Sequence, residues 1–163
     1  MRLWPMRWLF PSLDRIIGVS EGVARDTLEI TGMPAEKIFS IANPVITPEL
    51  STAAEAMPDH PWFRDHEVPI VLGVGRLTPE KDFPTLLRAF AELLPQRKLR
   101  LILLGEGPLE SSLKAEALRL GLEGHVDFAG YRSNPFCFMK RAALLVMSSA
   151  WEGSGNVLVE AMA

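Results

Sequence analysis

Four charged side chains and a glycine pair have types and positions suited to holding a phosphorylated polyol. Arg76 and Lys81 follow directly on the apolar run "PIVLGVG" (69–75). Two cations leaving one strand end together can point into the same crevice and hold an anion; two solvated loop charges are the plainer alternative. In "SSAWEGSGNVLVEAMA" (148–163), Gly153 and Gly155 bracket the start of a helix. A helix start presents unpaired amides and partial positive charge, and glycine lets a ligand approach the backbone; a glycine turn capped by Ser154 or Asn156 is the plainer alternative. Glu160 stands among Val157, Leu158, Val159, Ala161 and Met162. Burying a carboxylate there without a partner is costly, and its two oxygens suit a vicinal diol such as ribose, with an exposed helix edge as the other reading. Glu152, in the turn before the helix, suits the hydroxyls of a bound sugar.

Other chemistries lack their residues. "GVGRLTP" has Gly73 and Gly75 but no third glycine of a dinucleotide fingerprint, and no acid follows at the right distance, Glu106 coming too late. No phosphate-binding G-x-x-x-x-G-K-[ST] loop occurs, and Ser148 and Ser149 lie in no G-x-S-x-G elbow. His60, His66 and His125 are scattered and form no metal set, and no Asp-x-Asp pair is present, so no metal ligand is assigned.

The elements that must position these residues follow a regular alternation. The continuous apolar run at 69–75 predicts a strand buried on both faces, and 99–107, 125–130 and 143–149 predict three further strands. Between them, Phe83, Leu86, Leu87, Phe90, Leu93 and Leu94 form one helical stripe after Asp82, and Leu109, Leu113 and Leu120 another that Gly121 closes. "PFCFMKRA" predicts a short helix and "GNVLVEAMA" the start of a full one. Such alternation predicts an α/β fold: a Rossmann-like parallel sheet with helices on both faces and strand order 3-2-1-4, counted from residue 69. Ligands of such sheets bind beyond the carboxyl ends of the strands, which is where the polar set falls. Upstream, "RIIGV" and "KIFSIANPV" predict strands flanking a helix "EGVARDTLEIT" that Ser20 caps and Gly32 ends. The predicted division is 1–47, then a linker at 48–67 rich in Pro, Asp and His with one short helix, then the Rossmann-like domain at 68–163.

Three motifs in order resemble the retaining GT-B glycosyltransferases called group 1 or family 4. "GVGRLTPEKDFPTLLRAF" resembles the family's G-R-L-x-x-E-K-G block, with Asp82 where glycine is common. "LILLGEGPLESSL" is similar to its G-x-G-P turn, and "EGSGNVLVEAMA" to its E-x7-E motif from Glu152 to Glu160. "GVSEGVARDTL" and "KIFSIANPV" resemble the segment joining the family's two domains. The resemblance implies a glycosyltransferase that moves a sugar from a nucleotide-diphosphate sugar to a glycan or lipid-linked acceptor, without a metal or other cofactor. It implies Arg76 and Lys81 at the leaving diphosphate, Glu152 on sugar hydroxyls and Glu160 on ribose, with amides of Gly153, Ser154, Gly155 and Asn156 near sugar or phosphate. It places the base near Tyr131 and Arg132 and extends the donor-binding set to Gly75, Gly105 and Val157. Residues 1–47 then correspond to a remnant of the acceptor domain and the interdomain segment. The helix at 156–163 lacks a stopping signal, so the chain is expected to be an internal piece of an enzyme, incomplete at its C-terminal end and inactive alone. A non-catalytic nucleotide- or nucleotide-sugar-binding module is the alternative.

Of the 163 residues 48% are hydrophobic and 23% charged, and the net charge of −3 offers no basic face for nucleic acid. The single Cys137 excludes a disulfide framework and fits a reducing, cytoplasmic compartment. No apolar run approaches the ~20 residues that span a bilayer. The basic, aromatic opening "MRLWPMRWLF" fits either a docked or loosely ordered terminal segment or a peripheral contact with the inner face of a membrane. With no later strand to cover it, 143–149 would form an apolar sheet edge that invites self-association.

Overall fold

The computed structural model describes residues 4–65 and 67–163, with nothing described of the Trp4 side chain. The opening decapeptide and the expectation attached to it lie partly outside that range, as does His66. The chain divides into two compact units: residues up to Val45 with Gly153–Asn156, and Ile46–Glu152 with Val157–Ala163.

In the first unit, α1 (Trp4–Leu9) precedes β1 (Ile16–Gly18), α2 (Glu21–Thr31) and β2 (Ile38–Ser40), and β1 pairs in parallel with β2. The start and stop signals of α2 act as the sequence predicts. The Ser20 hydroxyl accepts the Val23 amide at 3.2 Å, and Gly32 takes a left-handed φ of 66°. Gly18 matters for packing: a Cβ there would lie 2.8 Å from the Ala24 nitrogen, so only glycine lets α2 sit on the strand end.

The second unit contains α3 (Pro48–Ala54), β3 (Ile70–Val74), α4 (Phe83–Leu93), β4 (Arg100–Leu104), α5 (Glu110–Arg119), β5 (Val126–Gly130), α6 (Phe136–Arg141) and β6 (Leu144–Leu145). Most of α7 (Asn156–Met162) also belongs to it. The sheet is parallel with order β5-β4-β3-β6, the 3-2-1-4 arrangement that right-handed crossovers predict. Successive residues of a strand face opposite sides, and the core divides accordingly. Val71, Leu101 and Leu103 pack with α4 and α5 through Phe83, Leu87, Phe90 and Leu113. Ile70, Leu72, Ile102 and Leu104 pack on the other face with Cys137, Phe138 and Met139 of α6. Gly73 points to the first of these faces, where a Cβ would meet the Leu103 side chain at 2.7 Å.

Three sequence expectations need correction. Residues 48–67 are not a free linker. Leu50, Ala54 and Phe63 are buried, and Phe63 meets Phe138 edge-on at 5.4 Å. Arg141 donates to the Ala54 and Glu55 carbonyls, each at 2.9 Å, and buried His60 bonds Asp127 at 2.9 Å. The prolines and acids of this stretch mask a few well-spaced apolar anchors. Next, the strand expected at 143–149 pairs with β3 over only Leu144 and Leu145; further on, the Ser148 hydroxyl and the Ala150 amide bond carbonyls of the loop that follows β3 instead. Finally, α7 is not a core helix: Leu158 and Val159 are each 39% exposed and Met162 86%, while Val157 packs against the second cluster and Glu160 is half-buried.

Asp82 is the only non-glycine residue with positive φ among the described residues, at φ 43° and ψ 45°. Its carboxylate accepts the Thr85 hydroxyl at 2.7 Å rather than a helix amide. A side chain at positive φ costs on the order of 1 kcal/mol, less for Asp than for Ala. Asp82→Ala and Asp82→Gly both lose the Thr85 bond, but only the alanine keeps the steric penalty. Chemical denaturation should therefore find the alanine variant less stable than the glycine variant by about 1 kcal/mol.

Candidate functional site

The loops beyond the carboxyl ends of β3, β4 and β5 are laced by main-chain hydrogen bonds. Gly75 N–H donates to the Leu104 carbonyl at 2.9 Å, and Gly105 N–H to Gly130 at 2.9 Å. Leu77 N–H reaches the Glu106 carbonyl at 2.9 Å, and Leu109 N–H the Leu77 carbonyl at 3.0 Å. This approach requires the glycines of "GEG". A Cβ on Gly105 would fall 2.0 Å from the Gly75 oxygen, and one on Gly107 would fall 2.5 Å from the Leu77 oxygen. Leu77, 1% exposed, pins the first loop into the core.

Above this floor lies a cavity of about 460 Å³ lined by Val74, Gly75, Arg76, Leu104, Gly105, Glu106, Tyr131, Arg132 and Pro135. It brings together five of the residues singled out from sequence: Gly75, Arg76, Gly105, Tyr131 and Arg132. Its wall is mainly apolar, with Arg76, Glu106 and Arg132 as charged groups, and the Tyr131 ring is exposed. Glu106 was passed over in the sequence although it sits between the two tight glycines. Its Oε1 accepts the Tyr131 amide at 3.4 Å, tying the third loop to the second.

The cations expected to point together into a crevice are each held by a carboxylate. Arg76, with a side chain 79% exposed, donates to Glu80 Oε1 at 3.3 Å, and the Thr78 hydroxyl bonds the same oxygen at 2.8 Å. The hydrogen bond from its own amide, then that from Thr78, holds the Glu80 carboxyl below the usual range. Lys81 pairs with Glu152, whose Oε1 also accepts the Ser149 hydroxyl at 2.7 Å. Burial pushes the Glu152 carboxyl up, but the bonds from Lys81 and Ser149 and the Lys81 charge outweigh it, and the net shift is downward. Glu80 was also missed in the sequence; its position four residues after Arg76 and next to Lys81 was the available signal.

The remaining candidates lie elsewhere. Gly153, Ser154, Gly155 and Asn156 belong to the first unit, where the Ser20 hydroxyl donates to the Gly153 carbonyl at 2.7 Å and Asn43 donates to Asn156 at 3.2 Å. Glu160 lines a different cavity of about 320 Å³, with Leu50, Ser51, Ala54 and Glu55 around α3, Phe136, Met139 and Lys140 of α6, and Ala161 and Ala163. Val157 packs against the core. Among the described residues, no group of three or more His, Cys, Asp or Glu side chains is placed to hold a metal ion, and no helix is long and apolar enough to cross a membrane.

A parallel sheet in this order, with an apolar cavity and paired charges at its carboxyl ends, is a Rossmann-like sheet of the kind that makes up half of a GT-B fold. The chain belongs to the family described as glycosyl transferases group 1, whose pattern matches residues 59–163. It is 30% identical over 155 residues to the N-acetylgalactosamine-N,N'-diacetylbacillosaminyl-diphospho-undecaprenol 4-alpha-N-acetylgalactosaminyltransferase of Campylobacter jejuni, covering 95% of this chain and 40% of that protein. It is 37% identical over 97 residues to the lipopolysaccharide core biosynthesis glycosyltransferase LpsE of Rhizobium meliloti, covering 60% of this chain and 28% of that one. The crystal structure of HepE from Anabaena in complex with UDP and glucose superimposes with a TM-score of 0.79 at 25% identity, over 98% of this chain and 45% of that one. The chain thus spans less than half the length of these relatives.

The downward shift of Glu152 has a definite sign. A carboxyl with a depressed folded pKa contributes stability that is fully present above its unfolded value, about 4.3, and lost as pH falls through the folded value. Thermal melts should therefore show Glu152→Gln less stable than the parent near neutral pH, with the gap closing below about pH 4.3. A gap that persists undiminished at pH 3 would show that the ion pair does not stabilise the fold.

Proposed function

We propose that this chain carries the donor-binding part of a glycosyltransferase that takes a sugar from a nucleotide-diphosphate sugar, with retention at the anomeric carbon and no metal at the diphosphate, for transfer to a glycan or lipid-linked acceptor. The observation that carries this reading is the cavity beyond β3 and β4. Its apolar wall of Val74, Leu104 and Pro135 beside the Tyr131 ring suits a flat heterocycle, while Arg76 lies at its edge. Glycines at 75 and 105 keep its floor free of side chains. Cationic side chains aimed at a leaving diphosphate stabilise the charge that develops there, the role a divalent cation fills in other enzymes. The relatives support the substrate class: HepE has been crystallised with UDP-glucose, and the Campylobacter enzyme is named for a diphospho-undecaprenol acceptor. Retention and metal independence rest on the motif resemblance.

Isothermal titration with UDP, GDP and ADP tests the reading. We expect a nucleoside diphosphate to bind equally well with and without EDTA. Arg76→Ala and Lys81→Ala should each cost on the order of 1 to 3 kcal/mol of that affinity. In the same titrations, Glu160→Gln should weaken the ribonucleotide more than its deoxyribose counterpart; equal losses remove Glu160 from the ribose. Binding that EDTA abolishes while both cation variants bind normally would overturn the proposed site.

A further inference from the structure

The two ion pairs beside the first loop, Arg76 with Glu80 and Lys81 with Glu152, sum formally to zero, with each cation held by an acid. A dianion gains little from such a neutral cluster until one pair opens. The two pairs differ. Arg76 is largely exposed and makes a single bond of 3.3 Å to Glu80, which keeps the Thr78 hydroxyl as a partner if Arg76 turns away. Lys81 and Glu152 are confined, with side chains 18% and 25% exposed.

Their surroundings fix both residues at the main chain while leaving the side chains free to change partners. The Lys81 amide donates to the Thr78 carbonyl at 3.1 Å, and the Lys81 carbonyl accepts the Ser148 hydroxyl at 2.8 Å. The Ala150 amide donates to the Glu80 carbonyl at 2.9 Å, so the segment carrying Glu152 is stitched beside the loop carrying Lys81. Gly75 leaves room for the Lys81 stem, whose Cδ and Cε would lie 3.3 Å from a Cβ at that position. Ser149 holds Glu152 by the same oxygen that takes Lys81. If Lys81 leaves, Ser149 still orients the carboxylate.

We infer that Glu152 is the resident partner of Lys81 that a diphosphate must displace, so that one exchange delivers Lys81 to the diphosphate and releases the Glu152 carboxylate toward the sugar hydroxyls. This rests on the donor-site reading above. The exchange couples the two halves of the donor: nucleotide alone must break the pair without regaining a partner for Glu152, whereas a sugar nucleotide supplies both partners at once.

Calorimetric titration of UDP and of inorganic pyrophosphate into the parent chain, Glu152→Gln, Glu152→Ala, Lys81→Ala and the Lys81→Ala/Glu152→Gln double variant tests the exchange. Removing the competitor should tighten UDP and pyrophosphate about threefold to tenfold in both Glu152 variants, the scale of one partly exposed ion pair. Lys81→Ala should weaken both ligands, and adding Glu152→Gln to it should change neither. If Lys81→Ala weakens binding but the Glu152 variants bind no tighter than the parent, the donor site stands and the exchange is wrong. A gain that survives in the Lys81→Ala background also overturns it, since the effect is then one of overall charge. If no protein binds either ligand, the donor-site reading falls as well.

Discussion

Burial of β3 and β4 on both faces is the constraint from which the rest of the second unit follows. Strands that touch apolar layers on each side must carry apolar residues at nearly every position, which "IVLGV" and "RLILL" do from Ile70 and Leu101 onward. Their polar chemistry is thereby displaced to the strand ends. Loops leaving such strands start from fixed points, and at the carboxyl ends three of them converge within main-chain hydrogen-bonding distance. The cavity exists because the glycines there let backbones touch where side chains would have filled the space.

The charges above that floor illustrate a second constraint. A partly buried cation is costly without a partner, and the fold supplies Glu152 to Lys81 from a distant loop, while the exposed Arg76 takes Glu80 from its own loop. A site that is to take up an anion must hold its cations in place by some other means meanwhile, and a carboxylate that later serves a different part of the ligand does so without an extra residue. The small separation between Lys81 and Glu152 in space, against 71 positions in sequence, is produced by the Ser148 and Ala150 bonds to the first loop.

Much of this was legible in the residues because the signals were local. Ser20 and Gly32 mark the limits of α2, and the alternation of apolar runs with amphipathic helices implies the sheet and its order. Of the cavity-lining set, Arg76 could be named from its place after a strand end, and Gly75, Gly105, Tyr131 and Arg132 through the motif resemblance. What escaped depends on neighbours distant in sequence. The core role of Leu50 and Phe63 needs α6 beside them, and the residues after β6 bond the loop that follows β3 rather than the strand itself. The pairing of Lys81 with Glu152 was hidden for the same reason, whereas Glu80 stands only four residues from Arg76 and was within reach of a local reading. Glu160 was read as a carboxylate in a core helix, yet α7 leaves Leu158, Val159 and Met162 exposed.

The lacing of the loops separates what the domain can change from what it cannot. The bonds that set the cavity floor run between main-chain groups of Gly75, Leu77, Leu104, Gly105, Glu106 and Gly130, none of which depends on side-chain chemistry beyond the two or three glycines. The Arg76, Tyr131 and Arg132 side chains stand on that floor without holding it up, and the Glu106 carboxylate adds one tie, to the Tyr131 amide. Such a scaffold lets the side chains that line the cavity change with little loss of folding stability at each step. The tolerance ends sharply at Gly105, where even a single methyl group would force the two loops apart.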